Sequence, residues 1–290
     1  MEGIKIRLVC WEDGKRVEKD LERTDRWTLH SAVEMQVTLP WADNVTVRLK
    51  QEPGGLNASR LGVGACLWEG ELFLAAYLAS LPLHRYIGAR VVELGAGPGL
   101  IGLMLAKLGA NVVITDIGKV LGLIVENVEL NKLSVAQRRG HASGVCSVQE
   151  LEWGKNGYEG VVSSLAGGGV DWVLAADCCY IDNEGESPST PHFVRACHGL
   201  CASASTKVLV SFELRSALVK STFLREAGRG FARVKRVPAK ALPKGCKVDH
   251  IELYELSLKR ESIAEVVEAD GGPDDATDEG TTPVVEGTPE

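Results

Sequence analysis

The 290-residue sequence lacks several features that would place it in particular classes of protein. No apolar run is long enough for a signal peptide or a membrane-spanning helix, and the charged residues Glu2, Lys5 and Arg7 follow the first methionine. No internal repeat recurs at a period of roughly 20 to 50 residues, which argues against a solenoid or a propeller. We therefore expect a cytoplasmic or nuclear protein that does not associate with membranes.

The eight cysteines include no CxxC pair and lack the regular spacing of a small disulfide scaffold. We interpret them as free thiols buried in a protein of a reducing compartment. Cys197, His198 and Cys201 lie on one predicted helix, where this spacing is more typical of packing than of metal ligation. The sequence therefore predicts no metal site.

Basic residues are absent after Arg260, whereas residues 262–290 hold nine acids among glycine, proline and threonine. This composition predicts a disordered acidic tail. The formal net charge of the whole chain is -7, so removing the nine acids of the tail leaves residues 1–261 at about +2. The acidity of the protein therefore belongs to its tail.

Apolar residues make up 45% of the chain and charged residues 24%, which is ordinary for a globular protein with one core. Residues 4–9, 27–39 and 45–50 alternate apolar and polar side chains, as half-buried strands do. We predict an antiparallel β extension over residues 1–60, followed by the main domain over residues 61–261.

Helical and strand patterns alternate along the main domain. The predicted helices are residues 71–81, 99–108, 119–131 and 191–203, and the predicted strands are residues 91–94, 111–115, 143–149, 171–176 and 207–213. This order predicts a Rossmann-like α/β fold, in which helices cover both faces of a mostly parallel sheet. Residues 231–237 and 251–258 complete seven strands as an antiparallel hairpin at one edge, and we predict mobile connections at residues 157–169 and 183–191.

The most specific motif is ELGAGPG at residues 93–99, where a buried strand runs into a glycine-rich turn and then a helix. Glycine lets the backbone approach a ligand closely, and the N-terminus of the helix offers free N–H groups. Asp116 ends the next strand about twenty residues on, where its carboxylate can accept hydrogen bonds from both hydroxyls of a ribose. Together these features predict a site for a nucleoside-like cofactor.

Two kinds of cofactor compete for this motif, because Gly97, Gly99 and Gly102 also satisfy the dinucleotide pattern GxGxxG. In the dinucleotide pattern the first glycine directly follows the strand. Here that glycine is Gly95, which gives GxGxG preceded by the acid Glu93. This arrangement resembles the motif of class I methyltransferases more than that of dinucleotide-binding enzymes.

With these motifs the chain resembles class I (seven-β-strand) S-adenosylmethionine-dependent methyltransferases and, more narrowly, protein-lysine methyltransferase family 16. The likeness covers roughly residues 45–260. Its marks are LWE at 67–69, ELGAGPG at 93–99, TD at 115–116, ENVELN at 126–131, LEWG at 151–154 and AADCCY at 175–180. The chain departs from the family at Glu69-Gly70, where Asp-Ala is usual, and at Cys178-Cys179, where aliphatic residues are usual.

The resemblance implies an enzyme that N-methylates a lysine side chain of a protein substrate, and we expect a monomer. It implies cofactor binding by Trp68, Glu93, Gly95, Gly97, Gly99, Asp116, Trp153 and Ala176. Trp153 would lie near the adenine. Asp177 and Tyr180 would form the catalytic acidic-x-x-aromatic motif, with Asp177 capturing and orienting the lysine and Tyr180 supplying an aromatic wall.

Two alternatives to protein-lysine methylation remain open at this point, and the first is a nucleic-acid or other amino-group acceptor. Methyltransferases acting on adenine or glutamine carry an Asp/Asn-Pro-Pro-aromatic string, whereas Cys178 and Cys179 replace both prolines here. Residues 220–247 hold nine Lys or Arg and only Glu226 as an acid, so RNA could bind there. A solvated helix followed by an edge strand explains the same pattern. The second alternative is an inactive, cofactor-binding interaction module.

Overall fold

The fold is described by a computed structural model over residues 3–21, 26–52, 61–132, 144–155, 157–165, 167–182 and 184–258. These residues belong to the first of two units into which the chain divides, Met1–Lys259. The predicted acidic tail, residues 262–290, lies outside the described residues.

The described part of the chain contains eleven strands, seven α-helices and three short 3-10 helices. The strands are β1 (Lys5–Glu12), β2 (Lys15–Leu21), β3 (Glu34–Leu39), β4 (Val45–Lys50), β5 (Arg90–Leu94), β6 (Asn111–Asp116), β7 (Cys146–Glu150), β8 (Trp172–Ala176), β9 (Lys207–Glu213), β10 (Arg233–Arg236) and β11 (Ile251–Ser257). The helices are α1 (Arg26–Ser31), α2 (Glu69–Ala79), α3 (Leu100–Lys107), α4 (Gly118–Leu130), α5 (Tyr158–Ser164), α6 (Ser189–Gly199) and α7 (Ala217–Gly230).

The main sheet has seven strands in the order β10-β11-β9-β8-β5-β6-β7. The five strands from β9 to β7 are parallel, and β11 pairs antiparallel with both β9 and β10. The predicted α/β fold with a C-terminal antiparallel hairpin is therefore confirmed. Chain order reverses at β5, the middle one of the five parallel strands, and ligands of open α/β sheets bind at the carboxyl ends of strands beside such a reversal.

Apolar cores cover both faces of the main sheet. One core joins β5 and β6 to α2, α3 and the strands of the N-terminal extension. The other packs α6 and α7 against the opposite face, with Phe193, Phe212 and Phe223 completely buried. Burial on both faces explains the continuous apolar runs in the central strands, such as Val91–Val92.

The N-terminal extension forms a separate four-stranded antiparallel sheet in the order β2-β1-β3-β4. The strand predicted over residues 27–39 is wrong in its first part, because α1 occupies Arg26–Ser31 and only β3 is extended. Tertiary contacts favour the helix, since Leu29 is buried in the core and His30 packs edge-on against Trp68 at 4.6 Å. The sequence also missed β2, an edge strand whose charged composition hides its pattern.

The side-chain amides of two asparagines join the extension to the main domain. The Asn127 side chain donates to the Lys50 and Pro98 carbonyls and accepts from the Lys50 N–H, at 2.7 to 3.0 Å. Asn131, one turn later, exchanges two hydrogen bonds with the backbone of Arg48. The two asparagines of the ENVELN motif therefore satisfy the free edge of β4 and fix Pro98 of the glycine-rich turn.

The predicted mobile connection at residues 157–169 is wrong in part, because α5 lies within it. Val161 and Leu165 bury their side chains against the core that contains α6, which compensates for a sequence rich in glycine and serine. Among the described residues, none of the helices combines the length and the apolarity that crossing a membrane would require.

Candidate active site

A cleft of about 500 Å³ opens along the carboxyl ends of the parallel strands. Trp68, Gly95, Gly97, Asp116, Trp153, Ala176, Asp177 and Tyr180 line it together with other residues, so eight of the ten predicted site residues meet there. The other two, Glu93 and Gly99, lie behind the glycine-rich turn and are not part of the lining. Parallel strands bring these side chains together because their carboxyl ends share one edge of the sheet.

The glycine-rich turn forms the floor of the cleft. Gly95 and Gly97 have φ values of 57° and 53°, a left-handed conformation that favours glycine. A Cβ atom on Gly95 would lie 2.8 Å from both Cys178 Sγ and Trp153 Cζ2. The turn therefore leaves only backbone facing the cleft.

Asp116 holds the turn in place from the end of β6. One carboxylate oxygen accepts the Gly97 N–H at 2.9 Å, and the other accepts the N–H of Ile117 at 2.7 Å. Burial raises the pKa of Asp116, while these two N–H groups lower it. Each carboxylate oxygen retains a further lone pair for a ligand hydroxyl.

Glu93 faces the interior behind the turn. Its carboxylate accepts the Gly102 N–H at 2.8 Å at the start of α3, and burial raises its pKa to about 8. A Cβ on Gly102 would lie 2.5 Å from the Glu93 oxygen, so glycine at this position lets the carboxylate reach the helix. Gly99 is the N-cap of α3 with a φ of 86°, and a Cβ atom there would contact Ile114 and Ile124.

Both predicted tryptophans line the cleft. Trp153 packs against Phe193 with ring centroids 5.1 Å apart. The Trp68 ring N–H donates to the Val63 carbonyl at 2.9 Å, and the guanidinium of Arg215 lies 4.4 Å from the ring centroid. Both rings are therefore fixed before any ligand arrives.

Asp177 connects three elements at the end of β8. Its carboxylate accepts the N–H of Gly70 in the first turn of α2 and the N–H of Glu213 at the end of β9, each at 2.8 Å. Burial raises the pKa of Asp177, whereas the charge of Arg215 and the two N–H groups lower it. The residue has a φ of 52°, which for an aspartate is an uncommon conformation found often at functional sites.

Tyr180 and the two cysteines complete the DCCY segment. The Ser187 hydroxyl donates to the Tyr180 carbonyl at 2.9 Å, and the Cys178 thiol lies 3.3 Å from the Leu94 carbonyl. Burial raises the pKa of both cysteine thiols, to about 12 for Cys179. The cysteines therefore serve as packing residues, and no group of three potential metal ligands occurs among the described residues.

Sequence reasoning missed two parts of the cleft lining. Both carboxylate oxygens of Glu213 accept hydrogen bonds from Arg26 of α1 at 2.6 Å. One of them also accepts a hydrogen bond from Arg215 at 2.8 Å. Glu71 lines the cleft from the first turn of α2, and its carboxylate accepts the Leu100 N–H at 2.8 Å. An acid within the otherwise apolar run of α2 was the available indication for Glu71.

A profile of the lysine methyltransferase family matches residues 23–229, which is more than two thirds of the chain. The chain belongs to the lysine methyltransferase family. The match begins just before α1 and ends in α7, so this family region contains every residue of the cleft lining named above.

Curated relatives carry the same family name. The chain is 35% identical over 172 residues to protein N-lysine methyltransferase METTL21A of Danio rerio, covering 59% of this chain and 68% of that one. It is 33% identical over 167 residues to EEF1A lysine methyltransferase 3 of Mus musculus, covering 58% of this chain and 63% of that one. The chain thus spans about two thirds of the length of these lysine methyltransferases.

A solved methyltransferase shares the fold at low identity. The T. thermophilus 16S rRNA N2 G1207 methyltransferase RsmC, in complex with AdoMet and guanosine, superposes with a TM-score of 0.52 and 15% identity. The alignment covers 87% of this chain and 58% of that one. Family membership and this fold confirm the predicted class of S-adenosylmethionine-dependent methyltransferase.

S-adenosylmethionine fits the residues of this family member. The cleft volume lies within the range of roughly 300 to 1,000 Å³ that is usual for small-molecule sites. The floor presents bare backbone, and Asp116 retains acceptor capacity at the point where a ribose is expected. The cofactor is therefore confirmed at the level of the family, whereas the roles of individual residues stay predictions.

The basic segment, residues 220–247, covers most of α7, the edge strand β10 and a loop with a short 3-10 helix. Several of its cations are already paired, since Lys220 and Arg236 contact Glu252 while Arg225 and Arg229 contact Glu226. Such pairing lowers the charge available to a polyanion. Nucleic-acid binding, the monomeric state and the cellular location stay predictions.

Proposed function

We propose that this protein transfers a methyl group from S-adenosylmethionine to the ε-amino group of a lysine in a protein substrate. The observation that carries the proposal is the continuity of the cleft from the Asp116 and Trp153 side, over the glycine-rich turn, to Asp177 and Tyr180. Donor and acceptor can therefore meet in one site. The lysine methyltransferase relatives support a protein substrate.

The residues on the donor side would hold the nucleoside. Asp116 would accept the ribose hydroxyls with its remaining lone pairs, and Trp153 would pack on the adenine. The bare backbone at Gly95 and Gly97 allows close approach. When bound, S-adenosylmethionine supplies the methyl group and a positive sulfonium that disfavours the charged form of a neighbouring amine.

The residues on the acceptor side would position the lysine. A free lysine has a pKa of about 10.4 and must lose a proton to solvent before its lone pair can form the new nitrogen–carbon bond. A carboxylate favours the charged amine, so Asp177 is suited to capturing and orienting the side chain, not to acting as a strong base. Tyr180 would form the aromatic wall along the lysine stem.

Glu213 is poorly suited to the same task, although it lines the cleft. Arg26 and Arg215 both pair with its carboxylate and hold its pKa below the usual range against the effect of burial. Asp177 has no ion pair within 4.0 Å among the described residues, and its two partners are neutral backbone N–H groups. Of these two carboxylates, Asp177 is therefore the better placed to receive the ammonium group of a substrate lysine.

The test is to incubate the protein with a cell extract and radiolabelled S-adenosylmethionine, and to identify the labelled product by mass spectrometry. We expect the label to be removed by protease but not by ribonuclease. Peptide sequencing should place it on lysine. The Gly95→Ala variant serves as the cofactor-site control and should leave the extract unlabelled. Label in RNA would favour the nucleic-acid alternative, and cofactor binding without label in any extract would favour the inactive module.

A further inference from the structure

Glu71 is a cleft-lining carboxylate to which the proposed function gives no role. It lies in the first turn of α2, its side chain is almost completely buried, and it borders the cleft. One carboxylate oxygen accepts the Leu100 N–H at 2.8 Å. In contrast to Glu213, Glu71 has no ion-pair partner within 4.0 Å in the part of the chain that the structure describes.

The position of Glu71 lies between the two halves of the site. The preceding residue, Gly70, donates its N–H to Asp177 at the acceptor end. The Glu71 carboxylate itself contacts Leu100, directly after the glycine-rich turn on which the nucleoside is expected. A ligand that extends from Asp116 toward Asp177 therefore passes Glu71.

The electrostatic surroundings of Glu71 favour a cation. Burial raises its pKa well above the ordinary value, and the carboxylates of Glu93, Asp177 and Asp116 raise it further. The Leu100 N–H lowers the pKa, and the main charged neighbours that act on Glu71 are all carboxylates. A positively charged ligand group at this point would relieve the repulsion between carboxylates.

We propose that Glu71 binds the α-ammonium group in the methionine part of S-adenosylmethionine. This inference rests on the proposed function, because it assumes that the nucleoside lies over the glycine-rich turn with its sugar at Asp116. The second carboxylate oxygen would accept an N–H of the ammonium group, while the first keeps its bond to Leu100. Glu71 is therefore a residue for positioning the donor.

The test compares three ligands by calorimetry on the Glu71→Gln variant. S-adenosylmethionine has the sulfonium and the ammonium, S-adenosylhomocysteine has the ammonium alone, and 5′-methylthioadenosine has neither. Glutamine can keep the bond to Leu100 but loses the charge, so we expect roughly tenfold weaker binding of the first two ligands. Binding of 5′-methylthioadenosine should stay within about twofold of the unchanged protein.

Glu69→Gln is the matched control. Glu69 lies in the same first turn of α2, but its side chain pairs with His250 and is not part of the cleft lining. The same loss of charge there should leave all three affinities close to those of the unchanged protein. A further measurement uses the unchanged protein and therefore tests the proposal even if Glu71→Gln does not fold. An analogue of S-adenosylhomocysteine without the α-amino group should bind to it as weakly as 5′-methylthioadenosine does.

Three results would overturn the proposal. If Glu71→Gln weakens the binding of S-adenosylmethionine but not of the other two ligands, Glu71 contacts the sulfonium instead of the ammonium group. Equal weakening of all three ligands would show a general effect on the fold of the cleft. If the unchanged protein binds none of them, the proposed function itself fails, and this outcome is distinct from a failure at Glu71.

Discussion

Replacing Asp177 with asparagine tests whether the carboxylate acts on the substrate or only holds the fold. The carboxylate accepts two backbone N–H groups, one from Gly70 and one from Glu213. Asparagine has one acceptor oxygen, so its NH₂ group faces one of these donors and a hydrogen bond to a charged group is lost. We expect the free energy of unfolding to fall by roughly 1.5 to 3 kcal/mol. At roughly 2 to 4 °C per kcal/mol for a domain of this size, thermal unfolding should shift measurably downward.

The effect on catalysis should exceed the effect on stability. The unfolding cost leaves most molecules folded, because typical stabilities are about 5 to 15 kcal/mol. Cofactor affinity should stay nearly unchanged, since Asp177 lies at the acceptor end of the cleft. Methyl transfer at saturating substrate should fall by roughly a hundredfold if the carboxylate orients the lysine. The assays are calorimetric unfolding, cofactor titration and single-turnover transfer from labelled S-adenosylmethionine.

Gly70→Ala supplies a matched perturbation that keeps the charge. A Cβ atom at this position would lie 2.5 Å from the nearer carboxylate oxygen of Asp177, so the carboxylate must move while remaining present. We expect slower transfer in this variant as well, with a smaller loss than in Asp177→Asn. If Asp177→Asn unfolds at a lower temperature yet transfers methyl groups at the rate of the unchanged protein, the orienting role is wrong and Asp177 is structural.

Two further substitutions test the floor of the cleft and the carboxylate behind it. Gly95→Ala should weaken cofactor binding at least tenfold by titration, because the new Cβ would collide with Trp153 and Cys178. Gly122→Ala is the control, since this glycine lies in a helix with open space around it. It should leave cofactor binding unchanged and raise the unfolding temperature. Burial raises the pKa of Glu93 to about 8, so the folded state keeps a proton that the unfolded state loses above about pH 4.5. The free energy of unfolding should therefore decrease from about pH 5 to 8, by at most about 1.4 kcal/mol per pH unit. Urea titrations at several pH values measure this dependence. If Glu93→Gln and the unchanged protein lose stability equally with pH, the raised pKa of Glu93 is wrong.

The parts of the site that could be predicted from the sequence are those encoded by short local patterns. The glycine-rich turn and Asp177 follow apolar strands and Asp116 ends one, and the parallel order of those strands brings them to one edge. The central strands of the main sheet were predictable because burial on both faces gives each of them a continuous apolar run.

Other parts could not be predicted, because they depend on contacts between distant segments. Residues 27–33 alternate in a way that is typical of a strand, yet α1 forms there because Leu29 and His30 pack against the main domain. The contact between Arg26 and Glu213 joins residues 187 positions apart, and no pattern within either segment indicates it. Glu93 matched the motif, but its carboxylate contacts α3 instead of the cleft.

The N-terminal extension contributes to the mouth of the cleft through these same distant contacts. His30 of α1 packs on Trp68, and Arg26 of the same helix pairs with Glu213, so α1 contacts two residues of the cleft lining. Asn127 connects the Lys50 backbone of β4 to the Pro98 carbonyl of the glycine-rich turn. Because an interior at close-packed density transmits small shifts, changes in the extension should reach both the donor and the acceptor sides of the site. We therefore expect the extension to contribute to the positioning of the two substrates.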